Sequence, residues 1–146
     1  MKAAQIDFYV LDTADAEQRL KMVCRLANKV QRLGHRILVL TDSEPDSRKL
    51  DTMMWTWSQS SFLPHAVFDP QDPYGELHPV LISQQPHESY TDILINLQDS
   101  PVIVQGGYHR ILEVVDKDDK VRIRGNEKYR AYKDNNYNVN THNMSS

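Results

Sequence analysis

Apolar positions change period several times along the chain, and each change marks a new element. In "IDFYVL", residues 6–11, aromatic and β-branched residues run together up to Asp12, the pattern of a buried strand. The next segment puts Leu20, Val23, Ala27 and Val30 at helical spacing until Gly34, with Asp12, Thr13 or Asp15 available as the N-cap. "RILVLT", residues 36–41, returns to a continuous apolar run. Strand, helix and strand in this compass form a βαβ unit, which has parallel strands and a right-handed crossover.

A second helix is predicted from Asp42 or Ser43, with Leu50, Met53, Met54 and Trp57 on its apolar side. "SFLPHAVFDPQDPYGELHP", residues 61–79, holds four prolines and one glycine and reads as an extended loop. Short strands are predicted at 80–83, 92–97 and 109–116, the last after a Gly106–Gly107 turn. Residues 118–133 read as a helix although "KVRIR" also suits a strand, and Gly125 weakens that helix by up to ~1 kcal/mol relative to alanine. The final "NVNTHNMSS" is polar, so one domain is expected over 1–138, followed by a disordered tail at 139–146. The predicted class is α/β: a Rossmann-like, mostly parallel sheet flanked by helices.

Charge distribution sharpens this picture. The chain has 146 residues and a formal charge of −3, which argues against a general nucleic-acid coat. Residues 1–116 carry a net −6 and residues 117–133 a net +4, so the basic character is local. In a helix over 118–133, Arg122, Asn126, Tyr129, Arg130 and Lys133 share one side, and Val121, Gly125, Lys128 and Tyr132 form the adjacent stripe. Such a side suits an acidic peptide, a terminal carboxylate or phosphates. A second contact-like stretch, "MMWTWSQSSFLPH" at 53–65, sets Trp55 and Phe62 at a helix end and loop, where aromatic residues commonly anchor interfaces.

Signals for catalysis are sparse. The first strand-to-helix turn, "LDTADAEQ", has neither the glycines of a dinucleotide site nor the Gly-Lys-Ser/Thr of a phosphate loop. Asp12 and Asp42 follow the first two strands and suit either helix caps or a magnesium-dependent phosphoryl-transfer site. The six histidines lack metal-helix spacing, and there is no Gly-x-Ser-x-Gly elbow. The lone Cys24 lies in a helical pattern as a packed thiol, which suits a reducing compartment. No apolar run approaches a membrane span and "MKAAQIDFYVLD" has no signal-peptide pattern, so a cytoplasmic protein without cofactor or metal is expected.

In order along the chain, "FYVLD", "LDTMMWTWSQSSFLPH", "PVLIS", "DILINL", "RILEVVD" and "EKYRAYK" resemble the chi subunit family of bacterial DNA polymerase III holoenzyme over nearly the whole length. The resemblance implies a Rossmann-like fold without a nucleotide site and a non-catalytic subunit of the clamp-loader assembly. It also implies two partners, the psi subunit and the acidic C-terminal tail of single-stranded DNA-binding protein. The chain would be a monomer alone and a heterodimer with psi.

Carried over by position, Trp55, Phe62, Leu63, Pro64 and His65 match the psi-facing surface, and Val115, Arg122, Arg124, Asn126, Tyr129, Arg130 and Lys133 match the tail-binding side. Asn126 stands where relatives commonly have arginine, with Arg124 or Lys128 as candidate replacements. Asn135 and Asn136 stand where relatives tend to have glycine, and asparagine tolerates the left-handed conformation of a helix end. Two alternatives accompany this reading. One is the magnesium enzyme built on Asp12 and Asp42; the other is a direct single-strand-binding module in which Tyr129 and Tyr132 stack on bases.

Overall fold

The structure, a computed structural model, describes residues 5–60, 62–72, 77–87, 90, 92–103 and 108–144. The expected Gly106–Gly107 turn lies outside them. The elements run β1 (Gln5–Leu11), α1 (Ala16–Arg32), β2 (Ile37–Leu40), α2 (Glu44–Thr56), β3 (His65–Val67), β4 (Val80–Ser83), β5 (Ile93–Asn96), β6 (Arg110–Val115), α3 (Asp119–Asp134) and β7 (Asn138–Met144). The strands form one seven-stranded sheet in the order β3-β4-β2-β5-β6-β1-β7, with every pair parallel. This is the Rossmann-like α/β class the periodicity predicts.

The central strands are buried on both faces, which is why they read as continuous apolar runs. Ile37, Val39, Ile82, Ile95 and Val114 face α1 and α2 through Val23, Ala27, Leu50 and Met54. Ile6, Phe8, Leu38, Leu94 and Ile111 face the other way, beneath Tyr132 of α3 and Tyr90, Val102 and Tyr108. Cys24 is buried on the α1 side, and burial pushes its thiol pKa up to about 12, so it is a packed, unreactive group.

The caps come from two of the expected candidates and overturn the cap reading of Asp12 and Asp42. Asp15, not Asp12, caps α1 by accepting from the Glu17 amide at 2.9 Å. Ser43, not Asp42, caps α2 by accepting from the Asp46 amide at 3.2 Å. Helix α1 closes through Gly34 at φ 93°, a conformation that favours glycine. Helix α3 closes through Asn136 at φ 63°, whose amide donates to the Lys133 carbonyl at 3.0 Å. The asparagine serves as the left-handed residue there, as the sequence suggests.

Two further expectations fail at the sheet edges. The segment expected as an extended loop contains β3, which pairs with β4 from His65↔Val80 to Val67↔Ile82. Three residues between prolines are too few to show a period. The segment expected to fray past residue 138 is β7, paired with β1 in register from Gln5↔Asn138 to Leu11↔Met144. Its side chains supply little apolar area, so the backbone ladder and one polar cluster hold it. In that cluster the buried Asp7 carboxylate accepts from Arg110 Nε at 2.6 Å and contacts His142 Nε2 at 2.9 Å, while the His142 ring stacks on Tyr9 at 4.9 Å.

Candidate functional site

Helix α3 is fixed by what lies under it. Asp118 caps it by accepting from the Val121 amide at 3.3 Å, and Asp119 and Lys133 occupy the ends where the helix dipole favours their charges. Gly125 sits directly over Val115, and a Cβ there would meet the valine methyls at 3.0 and 3.1 Å. Glycine therefore lets the helix approach β6. Val115, matched by position to the tail-binding side, is buried under this contact.

Beside Gly125, Lys128 is 3% exposed and reaches Glu113, which is fully buried. Its Nζ donates to Glu113 Oε1 at 2.7 Å and to the Gln98 carbonyl at 3.0 Å. The Tyr132 hydroxyl donates to Glu113 Oε2 at 2.6 Å and accepts from the Val102 amide at 3.0 Å; Asn96 Nδ2 donates to the same carboxylate oxygen at 2.8 Å. Burial and the neighbouring Glu113 charge both push the Tyr132 hydroxyl pKa up, so it stays a donor. Four side chains thus lock the rotation of α3 about its axis. Glu113 was not singled out from sequence, although a glutamate inside the apolar run "ILEVV" is the signal that would have found it.

The rotation decides which basic residues meet. Lys128 and Lys120 reach the residue 98–99 loop on one flank, Lys120 lying 3.7 Å from Asp99. Tyr129 faces the other way, with its ring edge against Phe8 of β1 at 5.6 Å. At about 100° per residue, Arg122, Asn126 and Lys133 fall on the Tyr129 flank and Arg130 points outward. Lys133 Nζ lies 5.7 Å from the Tyr129 ring. Arg124 falls on the opposite flank, 3.2 Å from Glu127. Neither proposed replacement for the missing arginine joins the Tyr129 flank, since Arg124 lies across the helix and Lys128 is buried. Beyond Tyr129, the half-buried Val10 and Val139 continue the apolar surface from Phe8 toward β7. Tyr132 is fully buried, which leaves Tyr129 alone of the two tyrosines able to stack on a base.

At the opposite edge of the sheet, Phe62 is 68% and Trp55 58% exposed, with ring centroids 5.8 Å apart. Pro64 is half-buried, whereas Leu63 and His65 are buried. These two support the surface instead of forming it. His65 Nδ1 lies 2.6 Å from the Leu63 carbonyl and Nε2 3.0 Å from the Asp51 carboxylate, and its ring packs on Trp55 at 4.8 Å.

A third region, the carboxyl end of the sheet, is where nucleotide ligands bind in related architectures. It holds a cavity of about 490 Å³ lined by Arg19, Asp42, Lys49, Asp99, Asp116 and Lys120 among others. Two of its acids are engaged internally: Asp42 accepts from the Asp99 amide at 3.0 Å and Asp116 from the Asp118 amide at 3.0 Å. Arg19 donates through Nε to the Val114 carbonyl at 2.8 Å, and burial lowers its pKa. The Asp15 carboxylate occupies the α1 N-terminus, where a phosphate would otherwise sit. Among the described residues no group of three histidine, cysteine or acidic side chains is arranged to hold a metal ion, and no helix is long and apolar enough to cross a membrane.

Fold and surfaces together define a Rossmann-like α/β protein whose nucleotide end is lined by its own carboxylates and whose exposed chemistry lies near the two sheet edges. Residues 3–140 match the family described as DNA polymerase III chi subunit, HolC, and the chain belongs to that family. It is 29% identical over 141 residues to the DNA polymerase III subunit chi of Pseudomonas aeruginosa, covering 96% of each chain. It is 28% identical over 138 residues to the same subunit of Escherichia coli K12, covering 92% of this chain and 94% of that one. Among solved structures, T4 UvsW superposes with a TM-score of 0.71 at 7% identity, over 97% of this chain and 42% of that one, a likeness of fold alone.

Proposed function

We propose that the chain is a non-catalytic adaptor of the DNA polymerase III holoenzyme, joining the clamp-loader complex, through psi, to the acidic tail of single-stranded DNA-binding protein. The observation that carries this reading is the chemical contrast between the sheet edges: an exposed aromatic pair, Trp55 and Phe62, beside β3, and a cationic helix flank with an apolar strip beside β7. A tail that ends in an apolar residue and a free carboxylate needs guanidinium or ammonium donors beside an apolar floor. Arg122, Lys133 and Arg130 supply the donors, and Tyr129, Val10 and Val139 the floor. The aromatic pair suits an apolar partner surface.

The test is a calorimetric titration with the tail peptide of the organism's own single-stranded DNA-binding protein, beside the same peptide lacking its last residue. Saturable binding that weakens with salt, with truncation and with Arg130→Ala is expected. No binding at low salt would overturn the tail assignment.

A further inference from the structure

The exposed aromatic pair is one end of a longer feature. Along α2, Glu44, Arg48, Asp51 and Trp55 recur at spacings of four, three and four, so they form one stripe down the helix. Beside it, Val67 of β3 lines a cleft of about 890 Å³ shared with Glu44, Arg48, Asp51 and Asp69. The stripe therefore joins the Trp55–Phe62 surface to this cleft.

The edge beside the stripe turns backbone groups outward. The Phe68 amide donates to the Ile82 carbonyl at 2.7 Å, so in the parallel ladder Ala66 and Phe68 turn their backbone groups toward β4. The intervening Val67 therefore turns its N–H and C=O outward, away from β4. An edge of this kind is a template for a further strand. The charges lining the cleft are Glu44, Asp51 and Asp69 against Arg48 alone, and Arg48 is bound to Glu44 at 2.6 Å. The cleft therefore favours a cation.

We infer that the partner docking on Trp55 and Phe62 continues as an extended segment along the β3 edge, placing an apolar side chain on the aromatic pair and a lysine or arginine in the acidic cleft. Glu44 and Trp55 are eleven residues apart on a helix, about 16 Å, which about five residues of extended chain span. Side chains on one face of an extended segment fall at even spacings, so its anchor and its cation lie about four or six positions apart. This rests on the reading that the aromatic pair receives psi, and it adds the manner of binding.

The test uses the full chain with the purified psi subunit as probe. Four variants are compared: Phe62→Ala, Val67→Pro, Glu44→Lys and Asp69→Lys. Proline at an edge position whose N–H points away from the sheet removes one donor without touching the β4 ladder. Phe62→Ala and Val67→Pro are each expected to weaken the complex at least tenfold, and each charge reversal three- to tenfold at low salt. Hydrogen exchange at the Val67 amide is expected to slow at least tenfold on complex formation, a readout that does not require Val67→Pro to fold. A complex abolished by Phe62→Ala but indifferent to the other three, with Val67 exchange unchanged, would overturn the extended segment and leave the psi reading standing. Absence of any complex would overturn both.

Discussion

The two exposed surfaces solve the same problem with different materials. Each must hold side chains in one orientation against solvent, and each does so by placing a carboxylate contact beneath them. Under α3 the contact is Lys128–Glu113, sealed from water and joined by Tyr132 and Asn96. Under the aromatic pair it is His65–Asp51, in which the carboxylate remains one-third exposed. A sealed pair gains strength from low dielectric but strands a charge when one partner is lost, whereas a half-wet pair relaxes into solvent. The cationic surface is thus the more rigid and the more brittle of the two.

The sharpest way to break the comparison is Lys128→Met. It should cost about 3–5 kcal/mol by leaving Glu113 charged and unpaired, lowering the melting temperature by on the order of 10 °C in a chain of this size. Adding Glu113→Gln should recover part of that loss, because the stranded charge is gone. Asp51→Asn, its counterpart, should cost about 1 kcal/mol or less and alter tryptophan fluorescence more than stability. Equal losses at both sites in chemical denaturation would remove the distinction.

Gly125→Ala probes packing under the same helix. Alanine favours a helix by up to ~1 kcal/mol, but overpacking costs about 1–3 kcal/mol, and the Val115 methyls lie within 3.1 Å of the new Cβ. A net loss near ~1 kcal/mol is expected, with weaker tail binding as α3 lifts, and Val115→Ala should relieve both.

Acid should separate β7 from the rest. Burial alone would raise the Asp7 pKa, but hydrogen bonds from Arg110 and His142 outweigh it and hold the carboxyl below its usual value. A depressed pKa contributes stability that is present above the unfolded value near ~3.9 and is lost as pH falls through the folded one. Amide protection across β7 should therefore fall below about pH 4, ahead of β2 and β5, and Asp7→Asn should remove that pH dependence. The smallest effects belong to single exposed cations. Arg122, 3.5 Å from Asp119 and solvated, should change tail affinity by about threefold to tenfold when replaced by alanine, with no change in stability.

Most of the fold was legible because buried parallel strands are apolar throughout and helices carry a 3.6-residue stripe. The edges were not. β3 is too short to show a period, and β7 reads "NVNTHNM" because its stability lies in backbone pairing, which side chains do not advertise. The stripe of α3 was legible, including the separation of Val121, Gly125, Lys128 and Tyr132 from the exposed side. That Lys128 is buried was not, because a lysine's partner lies on another strand and only the fold brings Glu113 to it. The supporting roles of Leu63 and His65 were hidden for the same reason: adjacency to Phe62 in sequence does not fix which side chain faces out.

The position of β1 also governs how the chain is made. Its neighbours are β6 and β7, with Gln5 opposite Arg110 on one side and Asn138 on the other. The first of these seven strands to be synthesised can therefore pair only with the last two. At about 5–20 residues per second, "IDFYVL" waits roughly 5–20 s in the nascent chain before β6 exists. During that interval it lacks both of its sheet neighbours and is an aromatic, β-prone segment, the kind that invites aggregation.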